Sequence, residues 1–358
     1  MNFDLTEEQQ LLAETLGQLL ENECPTTRVR EIFDGDAGHD PALWRALAEM
    51  GMTGLAVPEQ YGGAGLEVLD LAVAAETLGF HATPGPFFGH ALASEAIAAG
   101  GTDAQKERWL PALAAGEKIG SVAFAEAGGA WQPEQWTLVS GDALSGTKVH
   151  VPHAAEADLL VVGVEGGGLA VVEKDAAGIE IKEESGADRT RRLSELVLSG
   201  APAEVLADGA VASLRVRDIA LVLLAADAFG VADRLIRDSV EYAKTREQFG
   251  VTIGHFQGLK HQLADMAIAN EPSRGLYWYA AHARDHVAEE APRVAAVTKA
   301  HITDRTMQIA RDAVEAHGGI GFTWECDVQI WFKRAMFDRA WLGTPAVHRE
   351  RAATLAGW

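Results

Sequence analysis

The stretch Glu241-Tyr-Ala-Lys-Thr-Arg246-Glu-Gln248-Phe249-Gly250-Val-Thr-Ile253-Gly-His-Phe256-Gln257 closes a long helical pattern and places a guanidinium and two amides in the turn behind it. Gly250 is the expected helix stop. Working outward, apolar residues recur at helical spacing from Ile219 to Phe249 and again from Leu259 to Ala269, while no residue from Arg293 to His317 is Gly or Pro. Helices of this length bury one stripe each in a bundle.

Upstream the period changes. Leu159 to Val162 and Leu169 to Val172 are apolar, partly β-branched runs on either side of Gly166-Gly167-Gly168, which reads as a hairpin. Further upstream the helical period returns: Thr6-x-x-Gln9 is a capping box ahead of Leu12, Leu16, Leu19 and Leu20, and Ala42 to Met50 and Val68 to Leu78 repeat the pattern around the turn-rich segment at 58–65. The expectation is an α+β chain of three parts: an N-terminal helical domain over 1–117, a central β-domain (a small barrel or sandwich) over 118–216, and a C-terminal four-helix bundle over 217–358.

Composition narrows the functions open to such a chain. Its 358 residues hold 30 Lys+Arg against 52 Asp+Glu, a formal charge of −22, with 48% hydrophobic residues. Nucleic acid and anionic membrane surfaces are recruited by clustered Lys and Arg, and no basic run exists here, so neither is an expected partner. Cys24 and Cys326 stand too far apart in sequence to suggest a metal pair or a disulfide framework. No apolar run approaches the length of a membrane span and the start lacks a signal-peptide pattern, so the expected location is the cytoplasm. Nucleotide-hydrolase, Rossmann and zinc-protease motifs are all missing. His282 and His286 sit at i, i+4 without a third ligand in sequence reach, so no metal site is expected.

The quoted stretch has its own chemistry. Arg246 presents a planar fork of donors suited to a diphosphate, Gln248 an amide for a phosphate or purine edge, and Phe249 an apolar wall. An exposed arginine beside a helix-ending glycine would look the same from sequence. The residues also resemble the YAxxRxQFG signature of the acyl-CoA dehydrogenase family. Pro58-Glu-Gln-Tyr-Gly-Gly-Ala-Gly65, Gly146-Thr-Lys148 followed by Ala157-Asp158, Glu315-Ala-His-Gly318-Gly319-Ile-Gly321-Phe322, and Gly343-Thr344 resemble further motifs of that family in order.

The resemblance implies FAD as cofactor, an acyl-CoA thioester as substrate, α,β-dehydrogenation as reaction and electron-transfer flavoprotein as acceptor. It also implies that Arg246, Gln248, Phe249, Gln257, Glu315, Gly318 and Gly319 bind a neighbouring subunit's FAD, with Glu315 where the family usually has Gln. Two departures stand out. The family's base is a Glu directly before the closing Gly-Thr, where this chain has Leu342; in a second group it lies ten residues before a Gly, which gives Ala220. No catalytic residue is therefore assigned, although Asp218, Asp227 and Asp338 lie nearby in sequence, Asp338 being a candidate relocated base. In the family's flavin bed, TEPxAGSD becomes Ala125-Glu126-Ala127-Gly-Gly-Ala-Trp131, and Trp-Ile-Thr becomes His150-Val151-Pro152.

A kept cross-subunit arm with a spoiled bed implies the base-lacking half of a heteromer, a heterotetramer with an unlike acyl-CoA dehydrogenase subunit, acting on a bulky acyl group such as a steroid side chain. The alternatives are a homo-oligomer with a relocated carboxylate base and a flavin-free scaffold.

Overall fold

The computed structural model describes residues 4–36 and 38–358. Its N-terminal part holds α1 (Glu7–Glu23), α2 (Thr26–Asp34), α3 (Pro41–Glu49), α4 (Val68–Phe80), α5 (Phe87–Gly100) and α6 (Asp103–Ala114). The central part holds β1 (Gly120–Ala123), β2 (Ala143–Pro152), β3 (Leu159–Val164), β4 (Gly168–Glu173), β5 (Ile179–Glu184), β6 (Leu193–Pro202) and β7 (Glu204–Val205). Then come α7 (Gly209–Thr245), a hairpin of β8 (Glu247–Gln248) and β9 (Val251–Thr252), α8 (Gln257–Asn270), α9 (Pro272–His286), α10 (Ala291–His317), α11 (Val328–Ala340) and α12 (Pro345–Leu355). The chain is α+β: helices, then sheets, then a helical bundle.

Local chemistry starts these elements where the sequence says it should. Thr6 Oγ1 accepts from the Gln9 N–H at 3.2 Å while Gln9 Oε1 accepts from the Thr6 N–H at 3.1 Å, so the capping box is complete. One boundary differs from expectation. The helix from the Ile219 region begins at Gly209 and ends at Thr245, and Gly250 lies in the hairpin turn rather than at the helix end. Once β8 and β9 pair, residues 247–252 are drawn out of the helical period.

The chain divides into two compact units. One joins Ala72–Thr83 and Leu221–Trp358 to the N-terminal segment ending at Phe33; the other comprises Asp34–Leu71 and Pro84–Ala220. In the second, a four-stranded sheet runs β1-β3-β4-β7 and a three-stranded sheet runs β2-β6-β5. Every residue of β3 is buried, which is why its sequence is a continuous apolar run rather than an alternation. β3 and β4 pair antiparallel across a turn with Gly166 and Gly167 at φ 73° and 75°, the hairpin expected there. α5 packs on β1, and its fully buried His90 joins three segments: Nε2 lies 3.0 Å from the Thr53 carbonyl and Nδ1 accepts from the Gly120 N–H at 3.2 Å. Burial pulls its pKa to about 4, so the ring stays neutral.

In the first unit α10 packs against α8, α9, α11 and α12. The residues of α4 and α7 that belong to this unit meet through glycines. A Cβ on Gly79 would lie 2.2 Å from the Asp227 carbonyl oxygen, and one on Gly230 would lie 2.0 Å from that of Glu76. The backbones touch where any side chain would separate them. Gly230→Ala is expected to cost about 2–3 kcal/mol, more than the helix propensity of alanine returns, and to lower the thermal midpoint measured by circular dichroism.

Candidate functional site

The Arg246 segment is shaped by its hairpin. Phe249 and Gly250 occupy the two tip positions at φ 57° and 78°. That is a two-residue turn with both centres left-handed, natural for glycine and strained for phenylalanine. Phe249 is 93% exposed and sets its ring at right angles to that of Phe256, centroids 6.0 Å apart. A large apolar ring is thus held outward on strained backbone. The Arg246 backbone is fixed on both sides: its N–H donates to Tyr242 at 2.8 Å and its carbonyl accepts from Ile253 at 2.7 Å. The guanidinium stays exposed.

The end of α10 comes to the same place. His317 stacks on Tyr242 at 4.5 Å and its Nδ1 lies 2.8 Å from the Ala313 carbonyl, which ties the end of α10 to the last turn of α7. Gly318 then leaves the helix at φ 66°, and an added Cβ on Gly318 or Gly319 would meet nothing within 4 Å. An open cleft of about 410 Å³ results, its lining including Tyr242, Arg246, Gln248, Glu315, Gly318 and Gly319. The donors there, a guanidinium, an amide and approachable glycine backbone, suit a diphosphate. Of the seven residues expected to bind cofactor, five share this cleft. Phe249 projects from the hairpin tip and Gln257 is the exposed first residue of α8, so neither lines it. Tyr242 and His317 lie inside the quoted motifs, yet neither takes a role from sequence because their stacking joins positions 75 residues apart.

The β-domain face is built differently. Trp131 stacks on His150, centroids 5.5 Å apart and rings 20° from parallel. His150 takes φ 55°, donates its backbone N–H to Glu184 Oε1 at 3.2 Å and places Nδ1 2.6 Å from Oε2. Behind it, Lys148 is fully buried with Nζ 2.6 Å from Glu126, which also accepts from the Thr137 hydroxyl at 2.7 Å and the Thr137 and Leu138 N–H groups. Burial draws Lys148 down to about 8 against the pull of Glu126. Where a hydroxyl-rich flavin bed was the family pattern, this surface carries an indole–imidazole–carboxylate cluster that is paired within itself.

No ionisable base stands at either family position, since Ala220 and Leu342 are both buried apolar residues. Two of the neighbouring carboxylates face arginines. Asp227 is fully buried and takes both oxygens to Arg334, at 2.8 and 2.9 Å. Asp218 lies 3.3 Å from Arg217. Asp338 is fully buried beside Lys299, which it helps to hold charged. His282 and His286 stack at 4.5 Å, and no group of three potential metal ligands assembles among the described residues.

Comparison with known proteins agrees with this fold. The family model "Acyl-CoA dehydrogenase, N-terminal domain" matches residues 6–117 and "Acyl-CoA dehydrogenase, C-terminal domain" matches 218–356. The chain belongs to the acyl-CoA dehydrogenase family. It is 34% identical over 348 residues to acyl-CoA dehydrogenase IpdE2 of Mycolicibacterium smegmatis, covering 97% of this chain and 98% of that one. Among solved structures it is similar to a variant of the Tcur3481–Tcur3483 steroid ACAD (32% identical, 98% of each chain, TM-score 0.90). It is also similar to the ChsE4–ChsE5 complex from Mycobacterium tuberculosis (25% identical, 100% of this chain and 99% of that one, TM-score 0.89).

The Asp227–Arg334 pair separates a structural carboxylate from a base. Asp227→Asn should leave Arg334 buried without its counter-charge and cost about 3–5 kcal/mol, read as a lowered urea midpoint. An unchanged midpoint with lost activity would mark Asp227 as a base instead.

Proposed function

We propose that the chain is the base-lacking subunit of a heteromeric, FAD-dependent acyl-CoA dehydrogenase, paired with an unlike subunit that carries the carboxylate base. The observation that carries the proposal is a contrast within the chain. Its donor-lined cleft is open, while its buried carboxylates near the family's base positions stand in ion-paired or cation-flanked sites. The chemistry FAD supplies when bound is acceptance of hydride from the β-carbon of the thioester. A carboxylate must remove the α-proton, and we assign that group to the partner.

In this reading Arg246 forks onto the diphosphate, Gln248 adds an amide donor or acceptor, and Gly318 and Gly319 let the backbone approach the dinucleotide closely. Phe249 and Gln257 extend the same contact beyond the cleft and Glu315 offers a carboxylate at its rim. The Trp131–His150 stack keeps this chain's own β-face from receiving the ring. A bulky acyl group, such as a steroid side chain, is the proposed substrate; the similarity to a steroid ACAD supports it, and the ChsE4–ChsE5 complex is a precedent for two different chains acting together. Electron-transfer flavoprotein is the proposed acceptor. A homo-oligomer using Asp338 is disfavoured by the complete burial of that carboxylate.

Purified alone, the chain is expected to be colourless, and with its unlike partner to show flavin absorbance. A yellow and active single chain would favour the homo-oligomer; no colour in either preparation would favour a scaffold. Within the complex, Arg246→Ala should lower flavin retained through dialysis about tenfold or more, the loss of one charge-assisted contact worth about 1.5–3 kcal/mol. Full retention would remove Arg246 from the cofactor's contacts.

A further inference from the structure

The cleft between the ends of α7 and α10 offers charges of both signs to whatever enters it. Arg246 and Glu315 line the same space of about 410 Å³, both are exposed, and among the described residues no ion pair joins them. Gln248, on the same lining, donates Nε2 to the Glu247 carbonyl at 2.8 Å and keeps its amide oxygen for accepting. Glu315 also stands where its own helix disfavours it. α10 runs for 27 residues to His317, and the Glu315 carbonyl accepts the N–H of Gly318 at the cap. A carboxylate in the last turn meets the negative end of the helix dipole and a rim of carbonyls that can only accept. The stability of α10 therefore does not call for an acid at this position.

The lining is thus sorted by chemistry. Arg246 and the open backbone at Gly318 and Gly319 suit an anion, while the Glu315 carboxylate and the Gln248 oxygen suit hydroxyl or amino donors. A bare phosphate satisfies only the first set. A diphosphate tied to a neutral sugar satisfies both, with its phosphates toward Arg246 and its hydroxyls toward Glu315. A further phosphate on that sugar would set two like charges against the carboxylate and offer it no donor.

We propose that Glu315 is a specificity-determining residue, through which the cleft takes an adenosine diphosphate with a plain ribose and rejects one whose ribose is phosphorylated. The two ligands of the proposed reaction differ in this respect. FAD ends in plain adenosine, whereas coenzyme A ends in an adenosine diphosphate phosphorylated at its 3′ hydroxyl. Both bring Arg246 the same diphosphate, and only the first brings Glu315 a sugar without added charge. Acidic side chains on ribose hydroxyls sort plain from phosphorylated dinucleotides on other folds by the same physics. Glu315 therefore keeps the nucleotide end of the thioester out of the cofactor's seat.

This role of Glu315 rests on FAD occupying the cleft, and a competition experiment separates the two. The complex with the unlike partner is stripped of flavin, and FAD uptake is read as flavin retained after desalting, with ADP or 3′-phospho-ADP as competitor. The wild-type complex should need about tenfold more 3′-phospho-ADP than ADP to halve the uptake, the discrimination one carboxylate exerts on a doubly charged phosphate a few ångströms away in water. Glu315→Gln, which restores the family residue at an exposed position, should bring the two competitors within about twofold, and Glu315→Lys should reverse their order. Arg246→Ala should weaken both by the same factor. Equal competition in the wild type, or an undiminished preference in Glu315→Gln, would overturn the role of Glu315 and leave the cofactor reading standing. FAD uptake indifferent to both nucleotides would remove the adenosine diphosphate from the cleft and overturn both.

Discussion

A charge withdrawn from water must find a partner or be neutralised by gaining or losing a proton, and much of this molecule is arranged around that constraint. Asp227 takes both its oxygens to Arg334, Glu126 gathers Lys148, Thr137 and the Leu138 N–H, and Lys299 is surrounded by carbonyls with Asp338 nearby. The chemistry of the family calls for something different: a carboxylate that is buried enough to be basic, yet not neutralised by a permanent cation. Asp227 and Asp218 fail that demand by standing against arginines, and Asp338 lies wholly enclosed. The positions that would meet it, 220 and 342, have become alanine and leucine, which need no partner and pack into the interior. What stands open on the surface is the opposite kind of group, the exposed guanidinium and amide of Arg246 and Gln248.

The two candidate faces differ in how completely they satisfy themselves. On the β-domain, Trp131, His150 and Glu184 stack and pair with one another. At the Arg246 cleft only the frame is satisfied: the Tyr242–His317 stack and the Arg246 backbone bonds hold the walls, while the guanidinium stays exposed and Phe249 stands out at the hairpin tip on left-handed backbone. Strain held at an exposed position is compatible with a site completed by another molecule. The same contrast underlies the assignment of the cofactor contact to the cleft and of the base to a partner.

Much of this was legible in the sequence, and for identifiable reasons. Helical period and the capping box at Thr6 specify local structure through residues three or four apart, and the Gly166–Gly168 hairpin through adjacent ones. Arg246, Gln248, Glu315, Gly318 and Gly319 could be grouped because the family resemblance implies one cofactor contact for the two motifs that carry them. What was not legible depends on contacts across long separations: the parallel pairing of β1 with β3, the glycine crossing of Gly79 and Gly230, and the stacking of Tyr242 on His317. Gly250 misled because glycine serves equally as a helix stop and as the second residue of a two-residue turn, and only the pairing of Glu247 with Thr252 decides between them. Asp338 sits on a helix of mixed character, where sequence does not distinguish a surface carboxylate from one enclosed beside Lys299.

The most direct test is a structure of the chain together with its unlike partner, flavin and a thioester analogue. The dinucleotide's diphosphate should lie in the cleft of Arg246, Gln248 and Gly319, with the isoalloxazine ring on the partner's β-domain and the partner's carboxylate beside the α-carbon. A ring seated instead against Trp131 and His150 of this chain, with one of its own carboxylates next to the thioester, would contradict the account.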